Sequence, residues 1–122
     1  MKLLVIDVQK GITDERLYDY KGFLENTRRI IEAARQNQIE VIYVQHDDGP
    51  GSGFSKGDSD FEVTDQIAPK PGEKAFTKTI NSCFGNKELV HYLKSEKEDT
   101  LMIVGLQTNF CIDATIKSAF DL

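Results

Sequence analysis

Three side chains of complementary reactivity stand at or just past apolar runs in this sequence. Asp7 follows Leu3-Leu4-Val5-Ile6, Lys78 closes the segment Lys74–Lys78, and Cys111 lies beyond Leu101-Met102-Ile103-Val104. A carboxylate can take a thiol proton, an ammonium stabilises the thiolate that results, and a cysteine thiolate attacks carbonyl carbon. Together they would perform acyl transfer. Cys111 lies three residues past Thr108, a residue type that caps helices, so it falls in the first turn of a predicted helix. Free amides and the helix dipole there favour a thiolate, and the same amides could hold a tetrahedral oxyanion. The position equally suits a buried structural cysteine, and the residues by themselves leave both readings open.

These side chains need a scaffold that brings strand ends together. The run Leu3–Ile6 is continuously apolar and branched, as in strands buried on both faces of a parallel sheet. After a loop around Gly11–Asp19, the residues Phe23, Leu24, Thr27, Ile30, Ile31 and Ala34 recur at helical spacing, with Asn37 as the stop. Ile39–Gln45 reads as a second strand. From His46 to Gly72 the chain is rich in Gly, Asp, Ser and Pro, which predicts a long loop, and such loops are usually functional. Lys74–Lys78 is a third strand assigned largely by its position. A short helix over Glu88–Leu93, a fourth strand over Leu101–Val104 and a helix from about Asn109 complete the order. Strands alternating with helices predict an α/β architecture: a three-layer α/β/α, doubly wound parallel sheet with right-handed crossovers. The active crevice of such sheets lies beyond the carboxyl ends of the strands, where Asp7, Lys78 and Cys111 fall.

The 122 residues suffice for one compact domain, and 39% hydrophobic residues can fill its core. A net charge of -5 without a basic cluster excludes a nucleic-acid footprint. No apolar run approaches a membrane span, and residues 1–8 begin a strand rather than a signal peptide, so a cytoplasmic protein without membrane partners is expected. Two cysteines, Cys83 and Cys111, make no disulfide framework.

At this level the chain resembles a known family. Gly105-Leu106-Gln107-Thr108-Asn109-Phe110-Cys111-Ile112 is similar to the glycine-to-cysteine signature of the isochorismatase-like cysteine hydrolases. Leu4-Val5-Ile6-Asp7-Val8-Gln9 resembles their opening strand with its catalytic aspartate. Phe76-Thr77-Lys78-Thr79-Ile80-Asn81-Ser82-Cys83-Phe84 resembles their lysine segment, with Cys83 in place of a small alanine. The resemblance runs the length of the chain in one order. It implies that Asp7 is the general base, that Lys78 holds the Asp7–Cys111 pair in its charged form, and that the amides of Gln107 and Cys111 form the oxyanion hole. It also implies a cis peptide before Gln107, a strain of ~3 kcal/mol that the surroundings must enforce. Gln9, His46, Phe54 and Leu106 are the expected substrate contacts, with Phe54 either a pocket aromatic or a loop anchor. A small amide or related carbonyl compound is the expected substrate, hydrolysed through a thioester, and a homo-oligomer is the expected assembly.

Nicotinamidases of the same superfamily bind a metal through an Asp-x-His pair and a further histidine. This sequence has Gln45-His46-Asp47-Asp48 instead, and its other histidine, His91, falls on a predicted helix surface. No metal or cofactor is therefore expected; His46 is read as shaping the loop, and Asp47 and Asp48 as solvated acids. Gly49–Gly53 lacks the Gly-Lys-Ser/Thr ending of a phosphate loop and reads as a wall or lid. Three other readings compete. An isochorismatase proper would cleave a vinyl ether without needing Cys111. A phosphoacceptor receiver domain wants an acidic pair on the first strand and an aspartate on the third. A non-catalytic fragment is the last, because the chain stops within its final helical pattern where the family continues with further strands. The resemblance then implies that the strand Leu101–Val104 lies at a sheet edge.

Overall fold

The computed structural model describes residues 1–13, 18–80, 82–97 and 100–105. Four parallel strands, β1 (Lys2–Ile6), β2 (Glu40–His46), β3 (Lys74–Lys78) and β4 (Leu101–Gly105), form one sheet in the order β3-β2-β1-β4. The chain builds outward from β1 to β2 and β3, then returns to add β4 on the other side of β1. The switch in direction leaves a crevice beside the end of β1, the usual ligand position of a doubly wound sheet. Among the described residues β4 pairs with β1 alone.

The two faces follow from the period of two along each strand. Leu3 and Val5 of β1, with Val41 and Tyr43 of β2, pack under helix α1 (Tyr20–Gln36). Leu4 and Ile6, with Ile42 and Val44, pack against Leu89 and Leu93 of helix α2 (Lys87–Ser95). Each such side chain contributes about 1.5–3 kcal/mol by leaving water. Because both faces are covered, β1 reads in sequence as an unbroken apolar run.

α1 keeps its expected bounds, and α2 extends past the expected Glu88–Leu93 at both ends. α1 starts at Tyr20, directly after the expected loop, and its buried stripe is Leu24, Thr27, Ile31 and Ala34. Ile30, expected to face inward, is 38% exposed, because it lies about a hundred degrees around the helix from Ile31. Asn37 ends the helix through its side-chain amide on the Ala33 carbonyl, and Gln38 makes the left-handed turn into β2. Asn86 caps α2, its side chain accepting from the Leu89 amide while its own amide holds the Thr77 carbonyl beside Lys78.

The segment after β2 is more ordered than a Gly-rich loop suggests. It carries two 3₁₀ turns, Ser59–Phe61 and Asp65–Ile67, and Val63 bridges Gln9 in antiparallel fashion. Phe61, Val63 and Ile67 are buried, and the Tyr43 hydroxyl donates to the Ile67 carbonyl at 2.6 Å. Three buried apolar anchors thus press this loop against the end of β1. No helix among the described residues is long and apolar enough to cross a membrane.

Candidate active site

Asp7 is the first residue past β1. Its amide still donates to the Val44 carbonyl at 3.0 Å, the last backbone bond from β1 to β2. Its own backbone is left-handed, with φ 60°. A non-glycine residue in that region carries strain of about 1 kcal/mol, which an aspartate tolerates better than most. The turn bends the chain away from the sheet and leaves the carboxylate inside the crevice.

Lys78, the last residue of β3, reaches the same point from two strands away. Its ammonium lies 3.2 Å from Asp7 Oδ2, and the two side chains are 0% and 1% exposed. Lys78 Nζ also donates to the Ile80 carbonyl at 3.4 Å. The other carboxylate oxygen, Asp7 Oδ1, is buried and has no hydrogen-bond partner among the described residues. A buried carboxylate oxygen without a donor is costly, and native folds rarely keep one without a structural or functional reason. Gly105, which ends β4, is in register with Ile6, so β4 finishes beside Asp7. Leu106, Gln107 and Cys111, and the expected cis peptide between Leu106 and Gln107, lie outside the described residues.

The remaining candidates are placed as follows. Gln9 is fully buried. Its amide nitrogen donates to the carbonyls of His46, at 3.0 Å, and Phe61, at 2.8 Å, while its oxygen accepts from the His46 amide at 2.9 Å. Both amide hydrogens are therefore committed to the protein, which sets Gln9 apart from an open substrate contact. His46, at the end of β2, is in register with Lys78. Its Nε2 is 2.8 Å from Asp48 Oδ1, and its Nδ1 is buried without a partner among the described residues. Phe54 is half-buried, and its ring edge and the Asp60 side chain close over Gly11, where an added Cβ would come within 2.7 Å of each. That contact makes Phe54 an anchor of the loop.

Asp47 was expected to be a solvated acid. It instead organises the Gly-rich loop, accepting from the Gly49 amide at 2.8 Å and from the Lys56 amide at 3.5 Å. The Ser55 hydroxyl, and then these amides, hold its carboxyl below the ordinary carboxylate range. The glycines it gathers need this order: Gly49, Gly51, Gly53 and Gly57 all have left-handed backbones facing open space. The Asx turn is a local device that sequence spacing alone does not reveal. Cys83, the small residue of the lysine segment, is fully buried among Leu4, Ile6 and Leu89. His91 is exposed on α2. No group of three or more His, Cys, Asp or Glu residues is arranged to hold a metal ion among the described residues.

Comparison with known proteins bears on what this constellation belongs to. The family model described as the isochorismatase domain matches residues 2–122. The isochorismatase family protein YrdC of Bacillus subtilis strain 168 is 32% identical over 98% of this chain and 66% of its own length. The ureidoacrylate amidohydrolase RutB of Agrobacterium fabrum is 26% identical over 98% of this chain and 69% of its own. N-carbamoylsarcosine amidase from Thermoplasma acidophilum has a crystal structure that superposes with a TM-score of 0.84 at 29% identity. That match covers 98% of this chain and 76% of the amidase. The chain thus spans about two thirds of the length of the curated relatives it matches (66% and 69%). A family match over nearly every residue, with the same fold around the first strand's acidic end, makes this chain a member of the isochorismatase family.

Proposed function

We propose that the chain carries the catalytic end of a cysteine-dependent hydrolase that cleaves a C–N bond in a small amide or ureido compound. One observation carries the reading: a buried Asp7–Lys78 ion pair at the switch point of the sheet, with Asp7 Oδ1 open. A carboxylate held by a lysine on one oxygen and free on the other is suited to receive a proton. The amidohydrolase and amidase among the relatives support a carbonyl flanked by nitrogen as the target.

In this reading Asp7 takes the Cys111 thiol proton on Oδ1, and the thiolate sulfur attacks the carbonyl carbon. The oxyanion that develops is held by the amides of Gln107 and Cys111, which the cis peptide aims. The C–N bond breaks as Asp7 returns the proton to the leaving nitrogen, leaving an S-acyl cysteine (S-carbamoyl for a ureido carbonyl). Water then adds, its proton going to Asp7, and the acid departs as the thiol is restored. Lys78 keeps the site electrically balanced while the charge moves between carboxylate and sulfur. His46 through Nδ1, together with Leu106, contacts the substrate, and Phe54 sets the loop that walls the pocket. A neighbouring copy in a homo-oligomer completes that wall.

Intact-mass analysis of quenched reactions tests this directly. The protein would be offered ureidoacrylate, N-carbamoylsarcosine, nicotinamide and isochorismate in turn. An S-acyl adduct on Cys111 with a ureido or amide compound, lost in Cys111→Ser, is the expected result. Turnover of isochorismate that survives Cys111→Ser, without any adduct, would establish vinyl ether hydrolysis instead.

A further inference from the structure

Gln9 is a polar side chain with no exposure at all, two residues past the proposed base. Its three hydrogen bonds have a pattern that is informative. In a parallel ladder, alternate residues of a strand present both their N–H and their C=O to the same neighbour. Val44 does so toward β1, and Asp7 closes that step from its backbone amide. The next residue of β2 facing the same way is His46, but β1 has turned away at Asp7. The Gln9 side-chain amide supplies the missing step, accepting from the His46 N–H at 2.9 Å and donating to the His46 C=O at 3.0 Å. On its other side His46 is in register with Lys78, and the Asp47 amide donates to the Lys78 carbonyl at 2.8 Å. Gln9 is thus bonded to His46 of β2, and the next residue of β2, Asp47, is bonded to Lys78, so the flanks of both members of the ion pair are tied to the same stretch of β2. The second Gln9 N–H donates to the Phe61 carbonyl at 2.8 Å, where Gln45 also donates at 3.0 Å.

We infer that Gln9 is a positioning residue whose side-chain amide replaces a backbone step of the sheet and thereby fixes Asp7 against Lys78. The inference rests on the reading of Asp7 as the base for Cys111. Without the Gln9 side chain the turn keeps the Asp7 amide on Val44 and the backbone bonds of Val8 and Lys10 to the following loop. It loses its direct tie to His46, the residue in register with Lys78, and the carboxylate gains freedom relative to the ammonium. Groups that orient a reacting residue in this way commonly change rates by about 10- to 100-fold when removed.

The rate of Cys111 alkylation by iodoacetamide across pH, read at that residue by mass spectrometry, reports the base directly. It would be measured beside kcat and KM for wild type, Asp7→Asn, Gln9→Met, Gln9→Glu and Gln45→Met, each at a temperature where circular dichroism shows it folded. Gln9→Met, near-isosteric but without polar atoms, is expected to slow alkylation at neutral pH about tenfold and to lower kcat in parallel. Its KM stays within about threefold of wild type, since substrate contacts persist. Gln45→Met removes a bond to the same Phe61 carbonyl but leaves the His46 pairing, and keeps wild-type alkylation. A folded Gln9→Met with unchanged alkylation and kcat overturns the inference, and so does a rise in KM alone. If Gln9→Met does not fold, Gln9→Glu, which keeps the acceptor and loses both donors, carries the same comparison. Failure of the base reading shows separately, as Asp7→Asn leaving Cys111 alkylation unchanged.

Discussion

The Asp7–Lys78 pair shows what a single residue can cost a fold. Both side chains are essentially without exposure. Removing one charge leaves the other buried and uncompensated, so Asp7→Asn and Lys78→Met should each destabilise by about 3–5 kcal/mol. The double variant, with both charges gone, should recover most of that loss while remaining inactive. Urea melts of the four proteins close this cycle, and additive losses would mean the two groups are not coupled. The thiols provide a second check. Cys83 lies in the apolar core without exposure, so iodoacetamide at neutral pH should modify Cys111 first. Preferential labelling of Cys83 would remove the main support for the nucleophile. Asp7 and Lys78 were legible in the sequence because each ends a strand, and strand ends converge in a parallel sheet. The role of Gln9 was not, because a glutamine near a strand end looks the same whether its amide faces a ligand or a neighbouring backbone.

Elements were legible where hydrophobic period and burial agree, and obscure where order comes from side chain to backbone bonds. β1 and β2 announce themselves by apolar runs covered on both faces. β3 is largely exposed at an edge and carries no such signal; only its place in the alternation revealed it. The Gly-rich loop looked featureless because its organiser, Asp47, binds amides two and nine residues away. Asp47→Ala should therefore loosen the loop without unfolding the domain. Trypsin should cut after the exposed Lys56 faster than in wild type. Global stability should change by no more than about 1 kcal/mol, since little apolar surface is involved. Unchanged cleavage at Lys56 would show that the glycine turns hold themselves.

At the scale of the molecule, charge pairs clamp places far from the site and give stability a definite pH dependence. At the amino end of the sheet, Lys2 bridges Glu40 at 2.6 Å and Glu96 at 3.3 Å, while the Tyr92 hydroxyl donates to Glu40. Arg35 of α1 grips Glu73 ahead of β3 through two bonds, at 2.7 and 3.0 Å. Burial works to raise both carboxyls. The bonds from Lys2 and Tyr92 to Glu40, and from Arg35 and the Lys70 amide to Glu73, together with the positive charges beside each, outweigh it and hold both below the ordinary range. Burial, the largest single influence, likewise works to lower Lys2, and its bonds to Glu40 and Glu96, with the charge of Glu40 beside it, together outweigh this and raise it. A depressed carboxyl adds stability that is present above its unfolded pKa, about 4.3, and is lost as pH falls through the folded value. A raised lysine adds stability that is present below about 10.4 and is lost only as pH climbs through its folded value. Urea midpoints should thus stay level through neutrality and decline once the pH drops below about 4.3. Replacing both Glu40 and Glu73 by glutamine should lower the neutral plateau and flatten the acid decline, because the uncharged amides bind no proton there. An acid decline of undiminished slope in that double variant would place the proton uptake on other carboxylates, and the two clamps would then be packing contacts rather than electrostatic ones.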